Sequence, residues 1–234
     1  MILRERETIK EKDWIRLENA FTSIFSEYDK MNHFMSLGND IALRLEAIKN
    51  IPENSLVLDA GCGPGIMSKI ALLEINPKKI VMLDPNKFLL DNISIDSSKI
   101  EKVNGTFENL PFADSYFDAV MCGFSFRDAI DFKKASSELA RVIKKDGLLV
   151  LVDLGKPDNI LRYFFYVYLA IMPTSLILFL NRKKLKDYFT LYKTFRNYIT
   201  YSEIQTLFKN NGMKLFKFRK ILMGGLIYMI WRKE

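Results

Sequence analysis

At 234 residues, 49% apolar and 27% charged, the chain is long enough to bury a real core and has the composition of one folded domain. Two cysteines exclude a disulfide framework, and a single histidine, His33, excludes a metal cluster assembled by ligand spacing. The net charge of +7 is unevenly placed: residues 160–234 carry 14 Lys+Arg against 3 Asp+Glu, which leaves −4 on the remainder. That asymmetry points to an anionic partner for the C-terminal third, a nucleic acid or a lipid surface.

The first twenty residues, MILRERETIKEKDWIRLENA, contain no apolar core of the kind a secretory signal needs, so a cytoplasmic protein is expected. SLVLDA (55–60) reads as a buried strand, followed by a Gly-rich turn and the helical IMSKIALLEI (66–75). KIVMLD (79–84) reads as a second strand with a helix from Asn86 to Ile95, KIEKVNG (99–105) as a third and FDAVMCG (117–123) as a fourth. DFKKASSELARVIKKDG (131–147) has apolar positions at helical spacing and a glycine stop, and LLVLVD (148–153) makes a fifth strand. Strands this uniformly apolar, alternating with helices, predict an α/β fold built on a parallel sheet covered on both faces. Further on come a helix around Ser202–Asn211 and two strands, MKLFKFRK and LIYMIWRK. Gly224 and Gly225 join them too tightly for a helical crossover, so they are expected to be antiparallel neighbours.

LDAGCGPG (58–65) ends the first strand and opens the first helix, where glycines let a ligand approach the backbone and free N–H groups point outward. Asp84 closes the second strand some twenty residues on, where a carboxylate can accept ribose hydroxyls. NGTFENLPFADSYFDAV (104–120) and CGFSFRD (122–128) follow the third and fourth strands. Four loops at the carboxyl ends of parallel strands converge on one crevice, and a nucleotide-like cofactor is expected there.

With D-x-G-x-G-x-G, the acidic end of strand two and LPF-x-D-x-x-F-D, the chain resembles the S-adenosylmethionine-dependent methyltransferases with a seven-stranded, Rossmann-like sheet. YDKMNHFMSLG (28–38), GFSFRDAIDFKKASSELARVIKKDG (123–147) and the closing GGLIYMIWRK make it similar to the ubiquinone/menaquinone biosynthesis C-methyltransferases. The resemblance implies one domain over 1–234, with a mostly parallel seven-stranded sheet whose last strand is antiparallel. Within it lie an N-terminal helical cap (1–50), a cofactor core (51–156), a helical lid (157–212) and a C-terminal hairpin (213–234). It implies S-adenosylmethionine as cofactor, no metal, and methyl transfer to a ring carbon of a polyprenylated quinol precursor. Gly61 and Gly63 would then lie under the methionine part with Asp59 buttressing them, and Asp84 would hold the ribose. Pro85 would pack on the adenine, with Thr106 and Phe107 at its edge, Gly123 beside the transferable methyl and Tyr28 closing the pocket. Arg127 and Asp128 would face the substrate, with Ser125 and Asp128 standing where the family has Gly and Asn. Another O- or N-methyltransferase, or an RNA methyltransferase, is the alternative. No basic cluster with interleaved aromatics resembles an RNA-reading motif, so no nucleic acid is expected.

Residues 163–180 carry no charge and are followed by Arg182, Lys183, Lys184 and Lys186. The length suits a marginal membrane span, yet Pro173 breaks it at the centre and both flanks belong to one fold. An apolar lid attached peripherally to the inner face of the cell membrane is expected instead, with the basic residues on anionic lipid. The sequence sets no oligomeric state.

Overall fold

The computed structural model describes residues 36–156 and 198–234, together with Asn19, Thr22 and His33. Most of the expected cap, the lid from 157 to 197, Tyr28 and the basic run from Arg182 to Lys186 lie outside the described residues. In chain order the described elements are α1 (Asp40–Ile48), β1 (Leu56–Ala60), α2 (Ile66–Glu74), β2 (Lys79–Asp84), α3 (Lys87–Asn92) and β3 (Ile100–Asn104). They continue with β4 (Phe117–Gly123), α4 (Phe132–Val142), β5 (Ile143–Leu154), α5 (Tyr201–Asn210), β6 (Met213–Ile221) and β7 (Leu226–Lys233).

The seven strands form one sheet in the order β3-β2-β1-β4-β5-β7-β6. Strands β1 to β5 pair in parallel, and β7 runs antiparallel to both β5 and β6. The expected mostly parallel sheet with an antiparallel last strand is therefore what forms. Alternate residues along each strand feed opposite faces. Leu58, Ala60 and Val120 join a core with α4 and α5, while Val57, Ala119 and Met121 join a second core with α1 and α2. Both faces are covered, which is why the inner strands read as unbroken apolar runs. Because β1 lies between β2 and β4, a crevice opens where strand order reverses, at the carboxyl ends of β1 and β4.

Local signals fix several helix starts. The Asp131 side chain accepts from the backbone N–H groups of Lys133 and Lys134 at the head of α4, and Asn86 accepts from Leu89 at the head of α3. Thr200 and Glu203 form a reciprocal capping box on α5, whose Ile204, Leu207 and Phe208 are buried in the first core.

One expected boundary is corrected. The helix predicted to run to Gly147 stops at Val142, and β5 starts at Ile143 rather than Leu148. Ile143 pairs with Phe117 and the next partners are Ala119 and Leu148, so Lys144–Gly147 bulge out of the ladder. Lys144 closes the bulge with a 2.6 Å ion pair to Asp118. Gly147 is needed for close packing rather than as a helix stop: a Cβ there would lie 2.8 Å from the carbonyl oxygen of Asp118. The third and first strands are each slightly shorter than read, as is the helix after Asn86, which ends at Asn92.

Candidate active site

Asp59 pairs in register with Met121, so the turn after β1 and Gly123 at the end of β4 leave the sheet side by side. The turn is built on left-handed backbone: Gly61 has φ +66°, Gly63 +51° and Gly65 +81°, a region costly for residues with a Cβ. Gly61 is also pressed from below, since a Cβ there would lie 2.6 Å from the Ser125 Cβ and 2.9 Å from the Phe107 ring. At Gly63 a Cβ would meet nothing within 4 Å, so this part of the loop borders open space. Ser125, which stands where the resemblance led us to expect glycine, donates from its hydroxyl to the Ala60 carbonyl at 2.9 Å. It ties the β4 loop to the β1 loop.

Asp84 ends β2 and is buried. One carboxylate oxygen accepts from the Gly63 N–H and the other from the Asn86 N–H, both at 2.9 Å. These two bonds aim the carboxylate, a group with about four acceptor sites. Asn104 donates to the carbonyls of Asp84 and Pro85 at 3.0 and 2.8 Å and fixes the turn that carries Pro85. Thr106 lies two residues beyond the Asp84–Asn104 pair and is half-buried. The Phe107 ring is turned into the core, edge-on to Phe126 at 6.3 Å between centroids, and supports Gly61 from beneath.

Asp59 is wholly buried, and one of its oxygens takes both the hydroxyl (2.6 Å) and the N–H (3.1 Å) of Ser68. Its other oxygen, Oδ1, is buried with no hydrogen-bond partner. Burial pushes this carboxyl up to about 6, against the opposing pull of the Ser68 hydroxyl and the Arg44 charge. A buried acceptor with no donor, beneath a glycine turn bordering open space, fits a ligand bringing a cationic ammonium group. The S-adenosylmethionine implied by the resemblance brings one, together with ribose hydroxyls for Asp84.

The two residues expected to face the substrate, Arg127 and Asp128, sit in a tight turn, Phe126–Asp128. Arg127 is buried, and its guanidinium donates to Asp153 Oδ1 at 3.1 Å while its backbone N–H donates to Oδ2 at 3.3 Å. Asp128 Oδ2 lies 3.8 Å from Arg127 Nε. Asp153, near the end of β5 and fully buried, also accepts from the Leu154 N–H at 2.8 Å and the Tyr198 hydroxyl at 3.3 Å. Burial raises the Asp153 carboxyl above the usual range with Arg127 opposing it, and burial beside Asp153 pushes the Tyr198 phenol well up. Lys156 donates to the Tyr198 carbonyl at 2.5 Å. Arg127 therefore has its fixed counter-charge in Asp153, a residue from a different strand.

The structure thus brings Asp59, Gly61, Gly63, Asp84, Pro85, Thr106 and Gly123 to one edge, with Arg127 and Asp128 in the next loop; Tyr28 lies outside the described residues. Cys62 and Cys122 are free and buried with their thiols pushed up by burial, which suits packing and not reactivity. His33 is largely exposed and lies 3.1 Å from Asp40. Sequence reasoning missed Asp153, Tyr198 and Arg44. The first had a signal, an acidic residue closing an otherwise apolar strand. So did Arg44, a charge in the stripe of α1 that carries Leu43, Ala47 and Ile48. Tyr198 had none.

No group of metal-ligating side chains occurs among the described residues. The model of the ubiE/COQ5 methyltransferase family matches residues 7–232. A demethylmenaquinone methyltransferase of Bacillus licheniformis is 29% identical over 218 residues, covering 89% of this chain and 93% of its own. The ubiquinone/menaquinone biosynthesis C-methyltransferase UbiE of Rickettsia prowazekii is 28% identical, with 92% and 91% covered. Among solved structures, a TehB-like SAM-dependent methyltransferase of Corynebacterium glutamicum has a TM-score of 0.60 at 14% identity, covering 91% of this chain and 100% of that one. A chain of the Haloferax volcanii complex between the Trm112 methyltransferase activator and a methyltransferase has a TM-score of 0.67 at 15% identity, with 91% and 96% covered. These structural likenesses speak to the fold alone. With glycine turn, acidic strand ends and family match in agreement along almost its whole length, the chain belongs to the ubiE/COQ5 methyltransferase family.

Proposed function

We propose that this methyltransferase uses S-adenosylmethionine to methylate a ring carbon of a polyprenylated quinol precursor in respiratory quinone biosynthesis. The observation that carries the reading is the family match over residues 7–232, and relatives with demethylmenaquinone methyltransferase activity in their names support it. Bound S-adenosylmethionine supplies an electrophilic methyl group. Asp84 would receive its ribose hydroxyls, Asp59 Oδ1 would take its ammonium, and Thr106, Pro85 and Phe107 would border its adenine. On the acceptor side Arg127 stays protonated at any working pH, so it is no base. Held by Asp153, it donates to the quinol oxygen as negative charge grows there, which makes the adjacent ring carbon nucleophilic. Asp128, beside the guanidinium, trims the positive field. The ring carbon gains the methyl group, the bond electrons stay on sulfur, and the ring hydrogen leaves as a proton to solvent water; alignment of the two reactants supplies most of the rate.

The reduced quinol reacts in this scheme and the electron-poor quinone does not. Incubating purified protein and S-adenosylmethionine with each form, and reading methylated product by mass spectrometry, tests it; equal turnover of both rules the scheme out. A substrate with an isoprenoid tail also requires contact with a bilayer. No helix among the described residues is long and apolar enough to cross a membrane, which is compatible with peripheral attachment through the 163–180 stretch and its basic flank. Sedimentation with vesicles should need anionic lipid and weaken with salt; recovery from membranes only with detergent would contradict attachment of this kind.

A further inference from the structure

Two consecutive residues of the turn joining β6 to β7, Leu222 and Met223, have left-handed backbone, at φ +49° and +54°. Neither has the small or polar side chain that tolerates this region, so the turn is strained. It is held in that shape from behind. The Gly225 N–H donates to the Leu222 carbonyl and the Gly155 N–H to the Gly225 carbonyl, both at 2.9 Å, and Gly155 leaves no room for a Cβ beside the Gly224 carbonyl. Leu222 packs inward on the second core, whereas Met223 is turned outward and is 79% exposed. The strained turn thus keeps a large apolar side chain in water.

Its place in the sheet sets what it faces. β5 runs parallel to β4 and Leu226 pairs with Leu154, so the turn lies on the same edge of the sheet as the crevice. β6 is three strands from β4, roughly 14 Å along that edge. Charge narrows the partner. Residues 213–233 carry six Lys+Arg and no Asp or Glu. Arg219 is paired with Glu46 of α1, and Lys214 lies 3.9 Å from Glu234, but Lys217 and Lys220 are exposed beside aromatic rings. Lys220 Nζ lies 4.2 Å from the centre of the Tyr201 ring and Lys217 Nζ 5.5 Å from that of Tyr228, contacts that leave both ammonium charges intact. Lysines along an edge strand also discourage pairing with another sheet. That role does not call for a methionine held outward at the end of the strand.

We infer that the β6–β7 turn is a second bilayer contact, formed by residues other than 163–180. Met223 enters the headgroup layer of an anionic membrane, and Lys217 and Lys220 lie on its lipid phosphates. The inference rests on the peripheral attachment proposed above and gives that attachment an orientation. A bilayer touching the tip lies across the sheet edge at which the crevice opens, so an acceptor with an isoprenoid tail reaches the crevice with its tail still in lipid.

The test uses the full chain and vesicles of phosphatidylcholine, alone or with an equal part of phosphatidylglycerol. Met223→Asn removes the apolar group and places at that φ a residue that tolerates it. The variant should melt no lower than wild type, yet bind the anionic vesicles roughly 10-fold more weakly. Lys217→Gln/Lys220→Gln should weaken binding by roughly 25-fold, about 5-fold for each lysine. A polarity-sensitive dye on Met223→Cys, selective because Cys62 and Cys122 are buried, should shift to the blue with the anionic vesicles only. Variants that bind like wild type, or a dye that does not shift, overturn the inference and leave attachment through 163–180 standing. Wild-type protein that binds neither vesicle removes the attachment itself, and the inference with it. Preference of wild-type protein for a mixed-sequence single-stranded RNA over the anionic vesicles, lost in the lysine variant, would make this a nucleic-acid surface and overturn the inference as well.

Discussion

Replacing Asp153 with leucine removes the counter-charge of Arg127 and keeps an apolar group of similar size. The two side chains are buried and 3.1 Å apart. At that separation and an effective dielectric near 20, their attraction is about 5 kcal/mol. Losing one partner of such a buried pair costs about 3–5 kcal/mol. Asp153 also accepts from the Leu154 N–H, the Arg127 N–H and the Tyr198 hydroxyl, so the upper part of that range, about 4–5 kcal/mol, is expected. In a chain of this length each kcal/mol lowers the melting temperature by about 2–4 °C, giving a fall of roughly 8–20 °C. Arg127→Met should cost less, because Asp153 can take up a proton and become neutral. The double variant Arg127→Met/Asp153→Leu removes both charges and should recover at least about 2 kcal/mol relative to the sum of the singles. Denaturant unfolding of the four proteins measures this coupling. Effects that add to within about 0.5 kcal/mol would refute the pairing on which the placement of Arg127 depends.

Asp84→Ala removes the acceptor for Gly63 and Asn86 and should weaken S-adenosylmethionine by about 1.5–3 kcal/mol; unchanged affinity in calorimetry takes Asp84 out of the site. Burial pushes the Asp59 carboxyl up to about 6 from the ordinary aspartate value of 3.8, so the folded state binds the extra proton between those values. Its ionisation therefore lowers stability as pH rises through that window, by up to about 3 kcal/mol. Asp59→Asn should accordingly melt higher than wild type at pH 8 without ligand and about equally at pH 4; a lower melting point at pH 8 contradicts the assignment. Gly61→Ala places a Cβ at φ +66° and 2.6 Å from Ser125, at a cost of about 2–5 kcal/mol. Adding Ser125→Gly should return part of that loss, and a Gly61→Ala protein that unfolds like wild type would show that the loops are not packed as described.

The strands were most legible where both faces are buried and a turn residue closes each end. Lys79–Asp84 and Phe117–Gly123 match their sequence limits for that reason. The end of α4 was not legible, because Leu139, Val142 and Ile143 keep helical spacing; what overrides it is a distant partner, Phe117. The same division runs through the site. Asp59, Gly61, Gly63 and Asp84 carry their meaning in local spacing at strand ends. Asp153 and Tyr198 do not, since each acts across the chain, Asp153 on Arg127 26 residues back and Tyr198 on Asp153 45 residues back. Arg44 gave a local signal, a charge in an apolar stripe, but its neighbour Phe124 is supplied only by the fold.

The antiparallel pairing of β7 with β5 has a consequence for how the protein matures. Asp153 faces Ile227 in that ladder, and Leu154 faces Leu226. Until residues 226–233 dock, one side of β5 is open to water, and a carboxylate there would be solvated rather than sealed in with Arg127. The pairings of β1 to β4 and their glycine turn draw on chain that precedes β5, whereas the Arg127–Asp153 pair is sealed only when a non-local strand arrives, a slow kind of step. Partly synthesised or C-terminally clipped chains should thus hold the nucleoside before they gain methyl-transfer activity.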